Sequence, residues 1–457
     1  MSDRPGLTRR LGALDATLLT IGSVIGTGIF LTGGEVARAI PHPAGVVLAW
    51  AATGLLALAG ALTYAELGAM MPRAGGIYAY LREAYGPVWG FFYGWASLLV
   101  IMSGGIAAIA SGFGESLNGL VPGFVASLPS GTLAIGGWRL ACGGPQILAI
   151  AAILLLTVIN HFGVGPGAVT QNLLTWVRVG AIGLFAVLGW LAAPAAAAVA
   201  VSPSHGPVRM AGIGVGLLAT LWAYDGWYAA GFSAGEMRDP GRTLPRGLIA
   251  GTLVISLLYV GMNAVLLRAL PIAELAAAAR PAEAAAGALF ASSGARAMAV
   301  VIASASFGCL ASTILYSSRV YQPMAEDGLF FRSVAAIDPR FHTPVVSLWL
   351  QSAWAMVLVL TGSYVQLFTW VTFAVVLFHV ATAAAVFVLR VRRPHAPRPY
   401  RVWGYPWTPA AFIAGMSAVV ISTFVVRPAE SLLGLAAIAL GWPAYAWWRS
   451  RVRPTFR

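Results

Sequence analysis

Runs of about twenty apolar residues recur along almost the whole chain, and as helices each is long enough to cross a hydrocarbon core of about 30 Å. Read by eye they number about twelve, at roughly 14–38, 45–70, 88–112, 145–163, 168–192, 211–235, 245–268, 297–325, 344–362, 365–390, 408–427 and 431–449. Only 9% of the 457 residues are charged, against roughly 25% in a soluble domain, and the mean hydropathy is +0.81. A water-soluble globule of this composition lacks the polar surface to cover itself. The expected fold class is therefore all-α integral membrane, with about 12 transmembrane helices.

A formal charge of +13 invites a nucleic-acid reading, which the placement of the charge excludes. All 28 basic side chains are arginine. With the N-terminus inside, twenty fall in cytoplasmic segments: Arg4, Arg9, Arg10, Arg73, Arg82, Arg238, Arg242, Arg246, Arg319, Arg332, Arg340, Arg390, Arg392, Arg393, Arg398, Arg401, Arg449, Arg451, Arg453 and Arg457. Seven fall outside (Arg38, Arg139, Arg209, Arg268, Arg280, Arg296 and Arg427), and Arg178 lies within a span. This is the positive-inside bias, and it predicts both termini in the cytoplasm of a cell in whose inner membrane the chain is embedded. Arg4, Arg9 and Arg10 ahead of an apolar run resemble a signal peptide, but no small-residue cleavage site precedes a soluble domain, so a retained first span is expected. The complete avoidance of lysine points to genomic base composition.

Two spans are interrupted in the middle. In "TIGSVIGTGIFLTGG" (20–34), Gly22, Gly26 and Gly28 cluster with Ser23 and Thr27 where a helix would cross the midplane. In "LLATLWAYDGWYAAGFSAGE" (217–236) the break is Asp225-Gly226, an ionisable group costing about 2.5–3.5 kcal/mol at bilayer depth beside a glycine costing about 1 kcal/mol. Each break falls in the first span of a five-span block, and the charge count runs the two blocks in opposite directions. Inverted repeats with a midplane binding site follow as the expectation: helices 1–5 in residues 1–200, helices 6–10 in 201–395, and helices 11–12 with a cytoplasmic tail in 396–457.

An unwound helix frees N–H groups at the start of one half and C=O groups at the end of the other, which hydrocarbon does not tolerate. A ligand carrying a carboxylate and an ammonium satisfies both sets. The carboxylate suits the positive end of a half-helix starting near Thr27-Gly28, and the ammonium suits carbonyls near Val24 and Ile25. The competing reading is close helix packing, since Gly22-xxx-Gly26 is a small-xxx-small pattern.

Several stretches carry a family resemblance: "IGSVIGTGIF", "WAYDGW", "GEMRDPGRTLPRGL", "MPRAGGIYAYLREAYGPVWGFFYGW" (71–95), "YSSRVYQPMAEDGLFF" (316–331) and "RPYRVWGYPWTP" (398–409). Together they resemble the amino acid–polyamine–organocation superfamily, nearest to its L-type amino acid transporter-like permeases, over nearly the full length. The resemblance implies the leucine-transporter-type fold of five plus five inverted spans, with broken helices 1 and 6 and two further C-terminal helices. It also implies a substrate-binding set of Val24, Ile25, Gly26, Thr27, Gly28, Trp222, Ala223, Asp225 and Gly226. There the Thr27 and Gly28 amides hold the carboxylate, the Val24, Ala223 and Asp225 carbonyls take the ammonium, and Trp222 closes over the substrate as a gate. For the side-chain pocket it suggests Gly104, Gly105 and Phe307.

Asp225 admits two roles, as a ligand selecting a cationic side chain or as a cap for the helix resuming at Gly226. Arg178 is expected to be a fixed internal cation bridging the first span to the eighth at Ser304 and Ser306; snorkelling to the cytoplasmic edge is the alternative. Because arginine does not release its proton, neither sodium nor a proton from this residue is needed. Glu236, Arg238, Asp239, Arg242 and Arg246 are read as solvated charges past the membrane, Glu35 and Arg38 as a pair across one turn, and His379 as a satisfied buried imidazole.

The functional expectation is a secondary transporter moving neutral L-amino acids by alternating access, through sodium-independent exchange or facilitated passage. Proton-coupled transport or exchange of cationic amino acids or polyamines, and a sensor that binds without transporting, remain the alternatives. An enzyme is not expected, since the six histidines are scattered and show no metal-ligand spacing, and neither a cofactor nor a metal is implied. Cys142 and Cys309 suggest no disulfide framework, and the surroundings of Cys142 ("WRLACGGPQ") do not match the cysteine through which some relatives bind a heavy chain, so no obligatory partner is expected beyond substrate and lipid bilayer.

Overall fold

Hydrocarbon offers the backbone no partner but itself, and helices accordingly carry nearly all of this chain. The computed structural model describes residues 11–72, 75–135, 138–162, 164–193, 210–361, 364–426 and 428–451; Arg4, Arg9, Arg10, Arg73, Arg209, Arg427, Arg453 and Arg457 of the charge count lie outside them. Among the described residues nine helical stretches are long and apolar enough to cross a membrane. The sixth, ninth and twelfth expected spans are shorter there. The sixth is helical over Met210–Tyr224 and continues after a turn as a 3-10 helix, Ala229–Glu236. The ninth is Val345–Val359, and the twelfth is split into Pro428–Ala439 and Gly441–Arg451.

Broken helices need protein around them, and the packing supplies it. The stretch Ala13–Leu31 is 72% buried, whereas the eleventh span, Trp407–Val426, is 28% buried. The first span therefore sits centrally, against the fifth (Val164–Ala192), seventh (Pro240–Ala269) and eighth (within Pro281–Glu326). The third span is preceded by a short helix, Ile77–Tyr85, and is itself interrupted by a π-helical turn, Ser97–Ile101, before Met102–Leu120. Between the third and fourth spans lies one departure from the all-α expectation, an antiparallel hairpin of β1 (Gly131–Ile135) and β2 (Trp138–Cys142).

The charge group after the sixth span differs from expectation at one position. Glu236 is 7% exposed and accepts from the Arg319 Nε at 2.7 Å, because the 3-10 turn swings it onto the eighth span; Arg238, Asp239, Arg242 and Arg246 are exposed. Leu11 clamps this end, donating to the Glu236 carbonyl and accepting from the Arg238 amide. A second buried acid, Glu66, accepts from Arg390 at 2.9 and 2.6 Å and from the Val402 amide at 2.7 Å. At the other end of the first span, Arg38 and Glu35 pair at 2.6 Å across one turn.

Candidate functional site

The first span is helical over Ala13–Val24, unwinds, and restarts as Gly28–Leu31 and then Gly33–Ala39. At the break the amides of Gly26, Thr27 and Gly28 donate no hydrogen bond among the described residues. The carbonyls released at the same point are answered by side chains. Arg178 takes those of Gly22 and Ile25 at 3.0 Å each, the Tyr259 hydroxyl donates to Val24 at 3.1 Å, and the Cys309 thiol to Ser23 at 3.3 Å. The Val24 and Ile25 carbonyls, assigned from sequence to an ammonium, thus already accept hydrogen bonds from the protein.

The sixth span stops at Tyr224, and Gly226 (φ +101°) turns the chain back; a Cβ there would meet the Ser23 carbonyl oxygen at 2.7 Å. The carbonyls of Ala223, Tyr224 and Asp225 accept nothing among the described residues. The two breaks touch: a Cβ on Gly28 would lie 2.6 Å from the Ala223 Cα, and one on Gly26 would lie 2.7 Å from the Cys309 Sγ. These two glycines therefore serve close helix packing at their Cα positions, while their amides donate no hydrogen bond among the described residues.

Between the breaks is a small cavity of about 30 Å³. Of the residues singled out from sequence, Val24, Gly26, Thr27, Gly28, Gly105, Trp222 and Asp225 line it. Ile25 and Gly226 lie in the unwound segments, and Ala223 in the last turn of the helix that ends at Tyr224; none of the three lines it. Gly104 and Phe307 do not reach it: Gly104 faces Val371 of the tenth span (a Cβ would sit at 2.8 Å), and Phe307 packs on Phe113, ring centroids 5.6 Å apart. Ser23, Ile101, Met102, Ile109, Cys309, Thr313 and Tyr316 complete the wall without having been identified. A signal for some was present, since Cys309, Thr313 and Tyr316 fall at i, i+4 and i+7 on one face of the eighth span. The Thr27 hydroxyl is buried without a partner among the described residues.

Arg178 is 1% exposed, which rules out snorkelling. It does bridge the first span to the eighth, but through the Ala305 carbonyl at 3.4 Å rather than through serines. Ser304 and Ser306 bond back to Val301 and Ile302 of their own helix, a common satisfaction of hydroxyls in membrane helices. The rest of the guanidinium is held by the Leu174 carbonyl and the Thr175 hydroxyl, both at 3.0 Å.

Asp225 caps nothing: its carboxylate takes no backbone amide among the described residues. Its Oδ2 accepts from the Tyr228 hydroxyl at 3.4 Å, and its Oδ1 lies 3.9 Å from the His379 Nε2. The other imidazole nitrogen, Nδ1, is 2.7 Å from the Tyr64 hydroxyl, so the buried His379 is satisfied as expected. No group of three or more potential metal ligands occurs among the described residues.

Comparison with known proteins agrees in length and kind. The family model described as amino acid permease matches residues 11–438. The serine/threonine exchanger SteT of Bacillus subtilis is 33% identical over 443 residues, covering 96% of this chain and 97% of that protein. The b(0,+)-type amino acid transporter 1 of Homo sapiens is 28% identical over 87% of this chain and 79% of its own, and the large neutral amino acids transporter small subunit 2 of Homo sapiens is 26% identical over 96% and 80%.

Proposed function

The chain belongs to the amino acid permease family, and from that premise we propose that it exchanges small or medium neutral L-amino acids across a cell membrane without sodium. That it is a multi-pass amino acid transporter and not an enzyme follows from the family and its relatives. The finer reading rests on one observation: Gly26, Thr27 and Gly28, whose amides are free among the described residues, line one cavity together with Asp225, whose carbonyl is free there like those of Ala223 and Tyr224 just before it. In this reading the amides bind the substrate carboxylate, the carbonyls bind its ammonium, and Thr27 Oγ1 adds a hydroxyl. Trp222 and Tyr316 close over the side chain, for which Gly105 leaves room.

Sodium independence is supported by Arg178, whose guanidinium occupies the carbonyl cluster of Gly22, Ile25 and Ala305. A fixed cation there leaves no charge for a travelling ion to neutralise. Alternating access would come from residues 1–200 and 201–395 moving as inverted repeats around the breaks, with residues 396–457 appended and both termini cytoplasmic. The chain would work without a heavy-chain partner, in keeping with the near full-length match to an exchanger whose name mentions no subunit.

The test is counterflow. Purified protein in liposomes preloaded with unlabelled serine should take up labelled serine or threonine. Empty liposomes with only a sodium or proton gradient should take up little, and gradient-driven uptake at the exchange rate would overturn the coupling proposal.

A further inference from the structure

Asp225 stands at mid-depth in the wall of the cavity, its side chain 19% exposed, and a carboxylate in such a place needs a compensating charge or proton. No arginine lines the cavity among the described residues, and Arg178 is spent on carbonyls behind the unwound first span. Among those same residues, the one basic side chain within 4.0 Å of the carboxylate is His379 of the tenth span, 2% exposed and behind the cavity wall. We propose that Asp225 and His379 form one proton-binding site at the substrate cavity, whose occupancy decides whether a cationic or a neutral amino acid is preferred.

The geometry suits a proton that comes and goes without rearrangement. His379 Nε2 faces the carboxylate, and Nδ1 faces the Tyr64 hydroxyl at 2.7 Å. A hydroxyl both donates and accepts. When Tyr64 donates to Nδ1, the imidazole is neutral with its N–H toward Asp225. When the hydroxyl turns to accept, Nδ1 carries a second proton and the N–H toward Asp225 is unchanged. The proton then belongs to the pair as a whole.

Other groups around the pair are neutral or weakly acidic. The second span contributes Tyr64, edge-on to Tyr80; the turn after the sixth contributes Trp227 and Tyr228; the eleventh contributes Phe412; and across the cavity the eighth contributes Cys309 and Tyr316. With the pair deprotonated the wall carries a net negative charge, which suits an amino acid with a cationic side chain. With the pair protonated the wall is neutral, and the zwitterion of a neutral amino acid fits without an unpaired charge. The proton stands in for the positive charge of the substrate.

This rests on the transport reading, and the experiment separates the two. Counterflow of labelled lysine and labelled serine is measured in proteoliposomes at equal inside and outside pH, stepped from about pH 5 to about 8. The lysine-to-serine ratio should rise with pH by up to about tenfold per unit, the limit for one proton. In His379→Gln, and in His379→Asn should the first not fold, the ratio should be flat. Calorimetry on the wild-type protein in detergent, in buffers of different ionisation enthalpy, should show proton release on binding lysine and not on binding serine. A flat wild-type ratio, lysine excluded at every pH, or a slope that survives in the histidine variants overturns the proton site while leaving exchange standing. Failure to bind or exchange any amino acid overturns both.

Discussion

Removing the Arg178 side chain tests how the first break is held together. In Arg178→Ala the Gly22 and Ile25 carbonyls each lose a charged donor at 3.0 Å, and Ala305 loses a longer one at 3.4 Å. Ile25 is the costly one, because its ordinary helical donor was given up when the helix unwound and no other replaces it among the described residues, whereas Gly22 keeps the Ser312 hydroxyl at 3.5 Å. A buried acceptor left without a partner costs about 1–3 kcal/mol, so the loss at Ile25 alone is about 1–3 kcal/mol, with a smaller share from Gly22, against a total stability of order 5–15 kcal/mol. Arg178→Lys keeps a cation but presents three donors on one point in place of a planar fork, and should recover only part of the loss. The expected order of thermal stability in detergent is wild type, then Arg178→Lys, then Arg178→Ala, with serine counterflow lost in the last. An Arg178→Ala protein that melts and exchanges like wild type would refute the idea that the guanidinium replaces the missing amides.

Two further outcomes come from local geometry. A Cβ on Gly105 would meet nothing within 4 Å, so Gly105→Leu should fold, fill the cavity and lower competition by leucine or phenylalanine at least about tenfold relative to serine; equal loss for all sizes would remove Gly105 from the side-chain pocket. Glu236→Gln leaves Arg319 buried without its counter-charge at a cost of about 3–5 kcal/mol, and the melting temperature should fall clearly, then recover partly in the double variant Glu236→Gln/Arg319→Gln; no change in melting would show that the pair does not hold the sixth span to the eighth.

The sequence disclosed the breaks more readily than the walls. Glycines and an Asp-Gly pair in the middle of apolar runs conflict so strongly with an unbroken helix that Gly26, Gly28 and Gly226 could be placed without coordinates. Gly104 and Gly105 could not be told apart, because the π turn at Ser97–Ile101 inserts a residue and rotates the remainder of the helix by about 100°. Nothing in "SLLVI" announces that turn. Ser304 and Ser306 misled for a different reason: a membrane serine has an acceptor within its own helix and needs none elsewhere. Glu236 was read as solvated because its neighbours are charged, and only the 3-10 turn brings it to Arg319.

The two breaks are answered differently, and that asymmetry gives the cavity its polarity. On the first span the carbonyls of Gly22, Ser23, Val24 and Ile25 are all taken by side chains, from Arg178, Cys309 and Tyr259, while the amides of Gly26, Thr27 and Gly28 are left free among the described residues. On the sixth the reverse holds beside the cavity, with the consecutive carbonyls of Ala223, Tyr224 and Asp225 free among the described residues. Had the first span kept its carbonyls open, donors and acceptors would lie mixed on one side and an amino acid could bind in either orientation. In the proposed binding mode, satisfying one set from within would leave donors facing acceptors, and a zwitterion would have one way to lie, with its side chain directed toward Met102, Gly105 and Tyr316. In that mode Arg178 would contribute to orientation as well as to stability, although it does not line the cavity it helps to polarise.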